Sequence, residues 1–178
     1  MLVAATTFVS VALPLTKTST DAGRARHAGS FVAARFRLAR QQAVARTATV
    51  GLVFDLVNGR WQVRVCADGN ANGLRRAEIA AGVDRCFEGP HDLESLFPGI
   101  RVAVDNTLRG PGGEPPSPDP VRFGASNIAS FSASGSCTAG SLFLRSSQNL
   151  QYAVRIAGVT GRTRILRYNS ATGTWDEI

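Results

Sequence analysis

Lysine is all but missing from this chain. Lys17 is the one lysine among 20 basic residues, which face 13 acidic ones, so the formal charge of +7 is carried by arginine. A basic balance of this size points to an anionic partner or surface. Acid is missing over a long stretch, since Val121 to Trp175 holds six arginines and no Asp or Glu. Lys17 to Arg46 carries seven basic residues against Asp21 alone, whereas Gly51 to Pro120 carries seven against ten acids. Both ends are therefore basic and the middle is mildly acidic. Histidine is scarce: His27 sits among arginines and His91 in a Pro-His-Asp turn, which supplies neither a metal set nor a triad. The three cysteines contain no Cys-x-x-Cys pair, which removes zinc and dithiol-redox motifs. No nucleophile elbow and no phosphate loop occurs. The carboxylates Asp84, Glu88, Asp92 and Glu94 fall in a segment that reads as solvated loop or short helix, with no spacing that pairs two of them as acid and base. The residues give no support to catalysis and imply no cofactor. With 178 residues and 44% hydrophobic content, the chain has room for one globular core plus an appendage.

A complete membrane span is also missing. Met1 to Leu15 is apolar and uncharged, but a spanning helix needs about 20 such residues. No basic stretch precedes it, as a signal peptide requires, and the arginines on its C-terminal side run against the positive-inside rule for an ordinary anchor. One expectation reconciles these features: Met1 is not the natural start, and residues 1–20 are the back part of a longer, truncated membrane helix. Residues 21–48, DAGRARHAGSFVAARFRLARQQAVARTA, contain no proline and are rich in good helix formers, so Pro14 is expected to kink one continuous helix. On a helical wheel Phe31, Ala34, Leu38 and Ala45 make one apolar stripe, and Val32, Phe36, Ala39 and Ala43 make a second. The second stripe is the candidate for packing against a neighbouring chain. The alternative is one broad core-facing side with a snorkelling Arg35.

From residue 49 to 178 the period becomes alternating. TATVGLVFDLVNGRWQVRVC reads as two strands joined by Asn58-Gly59, a strong hairpin signal. Further expected strands are GIRVAV, PVRFGA, GSLFLR, QYAVRIA, RTRILRY and TWDEI, with RGPGGEPPSPDP as a loop. The fold class is α+β: one long N-terminal helix packed on an antiparallel β domain.

An apolar helix with a proline near its middle, an amphipathic half ending LARQQAVAR and a β-hairpin directly after it resemble the GspH/FimT group of pseudopilins and minor pilins. Leu38, Ala39, Arg40, Ala43 and Arg46 match that group's helix end, and GRTRILRYNSATGTW resembles its late Gly-Arg-x-Arg strand and closing hairpin. The group's basic leader, Gly-Phe junction and nearby glutamate have no counterpart in this sequence. The resemblance implies a pilin-like fold and a non-enzymatic subunit of a type II secretion pseudopilus or type IV pilus. It implies a single-pass inner-membrane location with the globular domain in the periplasm. The implied partners are other pilins or pseudopilins, the inner-membrane assembly machinery and the membrane itself. Some minor pilins of the group take part in DNA uptake, which makes DNA a candidate partner. The alternative from another class is a soluble secreted β domain behind a poor signal sequence.

Three sets of residues follow as candidate sites. In QYAVRIAGVTGRTRILRY, Arg155, Arg162 and Arg164 can share one exposed stripe suited to phosphate oxygens, and the resemblance points to Arg162 and Arg164 as DNA contacts. CADGNANGLRRAEI has the outline of a calcium loop, with Asp68, Asn70 and Asn72 in place. Its twelfth position is Ile79, Glu78 comes one residue early and two arginines intervene, so an Asx-rich turn is favoured over a metal site. Cys66 and Cys86 flank this loop and can close it as a disulfide in an oxidising periplasm. Pairings with Cys137 remain open at this stage.

Overall fold

The computed structural model describes the backbone of residues 5–158 and 160–178, and the side chains of its first helix from Ser19 onward. Helix α1 (Ala5–Arg46) runs unbroken through Pro14. The side chains of residues 1–18, and with them the expected membrane segment, lie outside the described residues. Among the described residues no helix is long and apolar enough to cross a membrane.

After α1 come β1 (Val50–Val57) and β2 (Arg60–Ala67), short α2 (Arg76–Ala80), β3 (Arg85–Asp92), short α3 (Leu93–Leu96), β4 (Ile100–Arg101), β5 (Val121–Arg122) and β6 (Ile128–Phe131). Then follow β7 (Gly140–Ser146), β8 (Gln151–Ile156), β9 (Thr163–Asn169) and β10 (Thr174–Glu177). They form two antiparallel sheets, one ordered β3-β2-β1-β6 and the other β10-β9-β8-β7-β4, with β5 also paired to β7. The β1–β2 turn is the expected one: Asn58 (φ 51°) and Gly59 (φ 76°) adopt the left-handed backbone of a two-residue hairpin.

Three expectations need correction. The acidic stretch expected as loop or short helix is mostly a strand, β3, and only Leu93–Leu96 is helical. As an edge strand it carries Pro90 and the charged Arg85, Glu88 and Asp92, which discourage further pairing and hid it from a hydrophobic pattern. Of GIRVAV and PVRFGA only two residues each pair into a sheet. The third correction concerns the stripe assigned to a neighbouring chain. Val32, Phe36, Ala39 and Ala43 are buried in the protein's own core, with Phe36 fully inaccessible. The reason is that two sheets, rather than one, enclose α1, so its buried face spans the second stripe and Ala25, Ala28 and Ala33 besides.

The heart of the core is aromatic. The ring of Phe36 lies edge-on to Phe54 and Phe123 at centroid distances of 6.4 and 5.6 Å, and 6.3 Å from Phe131, while Phe54 and Phe123 stack. Near the N-terminal end of the described helix, Gly29 permits close approach to the second sheet. A Cβ there would stand 3.1 Å from Ile165 Cγ2 and 3.7 Å from Val154 Cγ2. About two turns earlier, buried Asp21 ties helix to sheet by accepting from Ser147 Oγ at 2.7 Å and from the Gln148 backbone N–H at 3.1 Å.

Candidate functional site

Two surfaces bear the residues singled out above: the outer face of α1 and the outer face of the second sheet. With the inner face of α1 sealed, solvent sees Gly23, Ser30, Ala34, Gln41 and Ala45, joined by Leu38 and Val44, which are 39% and 55% exposed. The first stripe of the helical wheel, Ala34, Leu38 and Ala45, is thus the free one. Its fourth member, Phe31, turns aside to pack edge-on to Phe97 beneath the Arg35 guanidinium. Arg35 also pairs with Glu88, and Arg46 lies over the Phe87 ring, so β3 is fastened along one flank of the helix.

Arg155, Arg162 and Arg164 do share a face. Arg155 stands directly opposite Arg164, and Arg162 precedes Arg164 by one alternation. The expectation that no acid lies near them is corrected. The Glu177 carboxylate reaches both Arg162, at 2.9 Å, and Arg164, at 3.6 Å. Arg155 Nη1 donates to Glu114 Oε1 at 2.5 Å and to Ser141 Oγ at 3.3 Å. Burial alone would raise the Glu114 pKa, but hydrogen bonds from Arg155 and from backbone N–H groups outweigh it and hold the carboxyl below its ordinary value. Neither acid was visible as a partner in the sequence, because Glu114 comes from the proline-rich loop and Glu177 from the last strand. The loop itself crosses the outer sheet face, where Trp175 Nε1 donates to the Arg109 carbonyl at 2.9 Å. Gly112 lies against this pair, where a Cβ would meet Arg155 Nη2 at 2.2 Å and displace the guanidinium.

The loop after β2 satisfies itself. Asp68 Oδ1 accepts from the N–H groups of Asn70 and Ala71, and Oδ2 from that of Gly73. Asn70 and Asn72 donate to the two oxygens of Glu78 at 3.2 and 2.7 Å. The four candidate ligands Asp68, Asn70, Asn72 and Glu78 thus serve as an Asx-turn network. Among the described residues no group of three or more His, Cys, Asp or Glu is placed to hold a metal ion. Cys66 and Cys86 lie opposite each other on β2 and β3 and are joined as a disulfide that closes this loop. Cys137 is free and half-buried, its thiol pushed up in pKa chiefly by burial. His91 Nε2 is 3.2 Å from Glu88 Oε1, beside the Arg35 pair.

One pairing escaped the sequence analysis. Gly161, in the left-handed region at φ +64°, sits on the Arg40 guanidinium; a Cβ there would be 2.9 Å from Arg40 Nη1. The helix-end motif and the Gly-Arg-x-Arg motif therefore meet in space. The glycine and the arginine of the two motifs were the available signal.

A long N-terminal helix whose described side chains form the spine between two antiparallel sheets defines a pilin-like protein. The family described as type II transport protein GspH matches residues 29–161, and the chain belongs to it. No curated protein and no solved structure matches the chain. Membership of the GspH family makes it a type II secretion pseudopilin.

Proposed function

We propose that the protein is a non-enzymatic structural subunit that assembles with other pseudopilins into the filament of a type II secretion system. In this reading the apolar N-terminal segment anchors it in the bacterial inner membrane, the β domain stands in the periplasm, and the inner-membrane assembly machinery draws it into the filament. The observation that carries the reading is the asymmetry of α1: its inner face is sealed by both sheets, and its outer face is uncovered along Ala34, Leu38, Val44 and Ala45. Small residues at the middle of that face allow a neighbouring helix to approach closely.

In cells making the complete secretion system, with Cys137→Ser as background, Leu38→Cys and Ala34→Cys are expected to cross-link to a partner pseudopilin carrying a cysteine on its helix. Phe36→Cys is expected to stay uncross-linked. Cross-linking at Phe36 with none at Leu38 or Ala34 overturns the assignment of faces. Silence at every outer position, in cells that secrete normally, overturns the subunit reading itself.

A further inference from the structure

Three arginines frame α1 near the start of its described side chains. Arg24 and Arg26 are exposed and stand on opposite flanks of the helix, about 160° apart on the wheel. Arg167, exposed on β9, lies on the Arg26 side. It stands opposite Tyr152, whose hydroxyl donates to the Ala22 carbonyl at 3.5 Å. Arg26 and Arg167 are both close enough to that hydroxyl to work against the rise in its pKa that burial causes. None of the three arginines has an ion pair among the described residues. The local acids are engaged elsewhere: Asp21 is buried and bonded to Ser147 and Gln148, and Asp176, which faces Arg167 in register, accepts from Asn169 and Thr174. Lys17 belongs to the same stretch of sequence.

We propose that Arg24, Arg26 and Arg167 form a basic collar that docks the domain on anionic phospholipid headgroups around its own anchor. The inference rests on the reading that residues 1–15 lie in the membrane. A helix rises about 1.5 Å per residue, and the headgroup layer is about 5–7 Å deep. Arg24 therefore stands about 6–9 Å beyond that layer, close to one Debye length at physiological salt and within reach of an arginine side chain. A basic surface of this kind gains up to about fivefold in membrane partition for each arginine that reaches an anionic surface. The collar also explains why positive charge is tolerated on the translocated side of the segment: it is matched by lipid phosphate instead of protein carboxylate.

The test is flotation of the full chain with vesicles of phosphatidylcholine alone and with vesicles in which about a third of the lipid is phosphatidylglycerol. Both are run at about 0.01 M and about 1 M salt, where the Debye length is about 30 and 3 Å. The collar predicts an anionic-to-zwitterionic partition ratio well above one at low salt that collapses at high salt. It also predicts that the ratio falls about tenfold or more in the Arg24→Gln, Arg26→Gln, Arg167→Gln variant. Arg24→Gln alone, at a fully solvated position, should lower it by a few-fold. Arg162→Gln, beside the Gly161 that sits on Arg40 and so about 24 Å further along the helix than Arg24, should leave it unchanged. A ratio near one, a ratio indifferent to salt, or an unchanged ratio in the triple variant overturns the collar. Partition into phosphatidylcholine alone reads the anchor, so loss of anchoring and loss of the collar are seen separately.

Discussion

Replacing Phe36 by alanine separates the two faces of α1 more sharply than any other single change. Phe36 is fully buried between both sheets, with ring contacts to Phe54, Phe123 and Phe131 at 5.6 to 6.4 Å. Deleting a buried phenylalanine typically costs about 3–5 kcal/mol through lost transfer energy plus the cavity left behind. Three aromatic partners at a site closed on two sides by β-sheet cannot collapse inward easily, so we expect a loss of about 4 kcal/mol, near the middle of that range. For a domain of this size that lowers Tm by about 8–16 °C. Leu38→Ala on the outer face, at a residue 39% exposed, should move stability by only about 0.5 kcal/mol. Thermal melts of the full chain in mild detergent, followed by circular dichroism, give both values. Equal and small shifts in the two variants would refute the placement of Phe36 in the core. A large shift in Leu38→Ala would refute the claim that its face is free.

The disulfide closes a loop of sequence separation 20, which in the chain-entropy account stabilises the fold by about 3 kcal/mol. Cys66→Ser with Cys86→Ser, or reduction of the native chain, should lower the melting temperature accordingly, whereas Cys137→Ser should not. Burial would raise the Asp21 pKa, but hydrogen bonds from Ser146, Ser147 and Gln148 outweigh it and hold the carboxyl below its ordinary 3.8. A depressed carboxyl contributes stability that is present above the unfolded pKa and lost as pH falls through the folded one. Asp21→Asn should therefore lower the urea midpoint at neutral pH and flatten its decline below about pH 4; an acid limb identical to that of the native chain would count against the tie. Because Glu177 spans Arg162 and Arg164, duplex DNA should bind weakly. Glu177→Gln should strengthen any binding by several-fold at low salt, with the gain erased as salt rises; tight binding by the native chain would show that Glu177 is not an effective shield.

Local signals carried far in this chain, and long-range ones did not. Asn58-Gly59 marked the first hairpin because the turn is encoded by the two residues that make it. The long helix and strands β7 to β10 were legible from period alone. Strand β3 was not, because an edge strand with one exposed face need not alternate in hydrophobicity and here carries charge and proline instead. The two stripes on α1 were both seen, but their roles were exchanged. A helical wheel ranks faces by apolarity, and only the tertiary arrangement shows that two sheets close on one side. The arginine stripe was found correctly as a face, yet its charge balance depends on Glu114 and Glu177, which are brought in from a loop and from the last strand. The meeting of Arg40 with Gly161 belongs to the same class: both motifs were noticed, and nothing in either announced the other.

The position of β8 and β9 against the start of the described helix sets an order of events. The surface of α1 around Gly29 is covered by Val154 and Ile165, more than a hundred residues downstream. The β1–β2 hairpin can close as soon as its own residues are available, but that part of the helix must wait for nearly the whole chain. High contact order of this kind makes folding slow, on the scale of milliseconds to seconds. Throughout that interval Ala25 and Ala28, on the same stretch of helix, stay uncovered. A chain stalled or cut short before residue 151 would therefore be a degradation and aggregation target, and quality control of this protein is expected to read the helix, not the sheets.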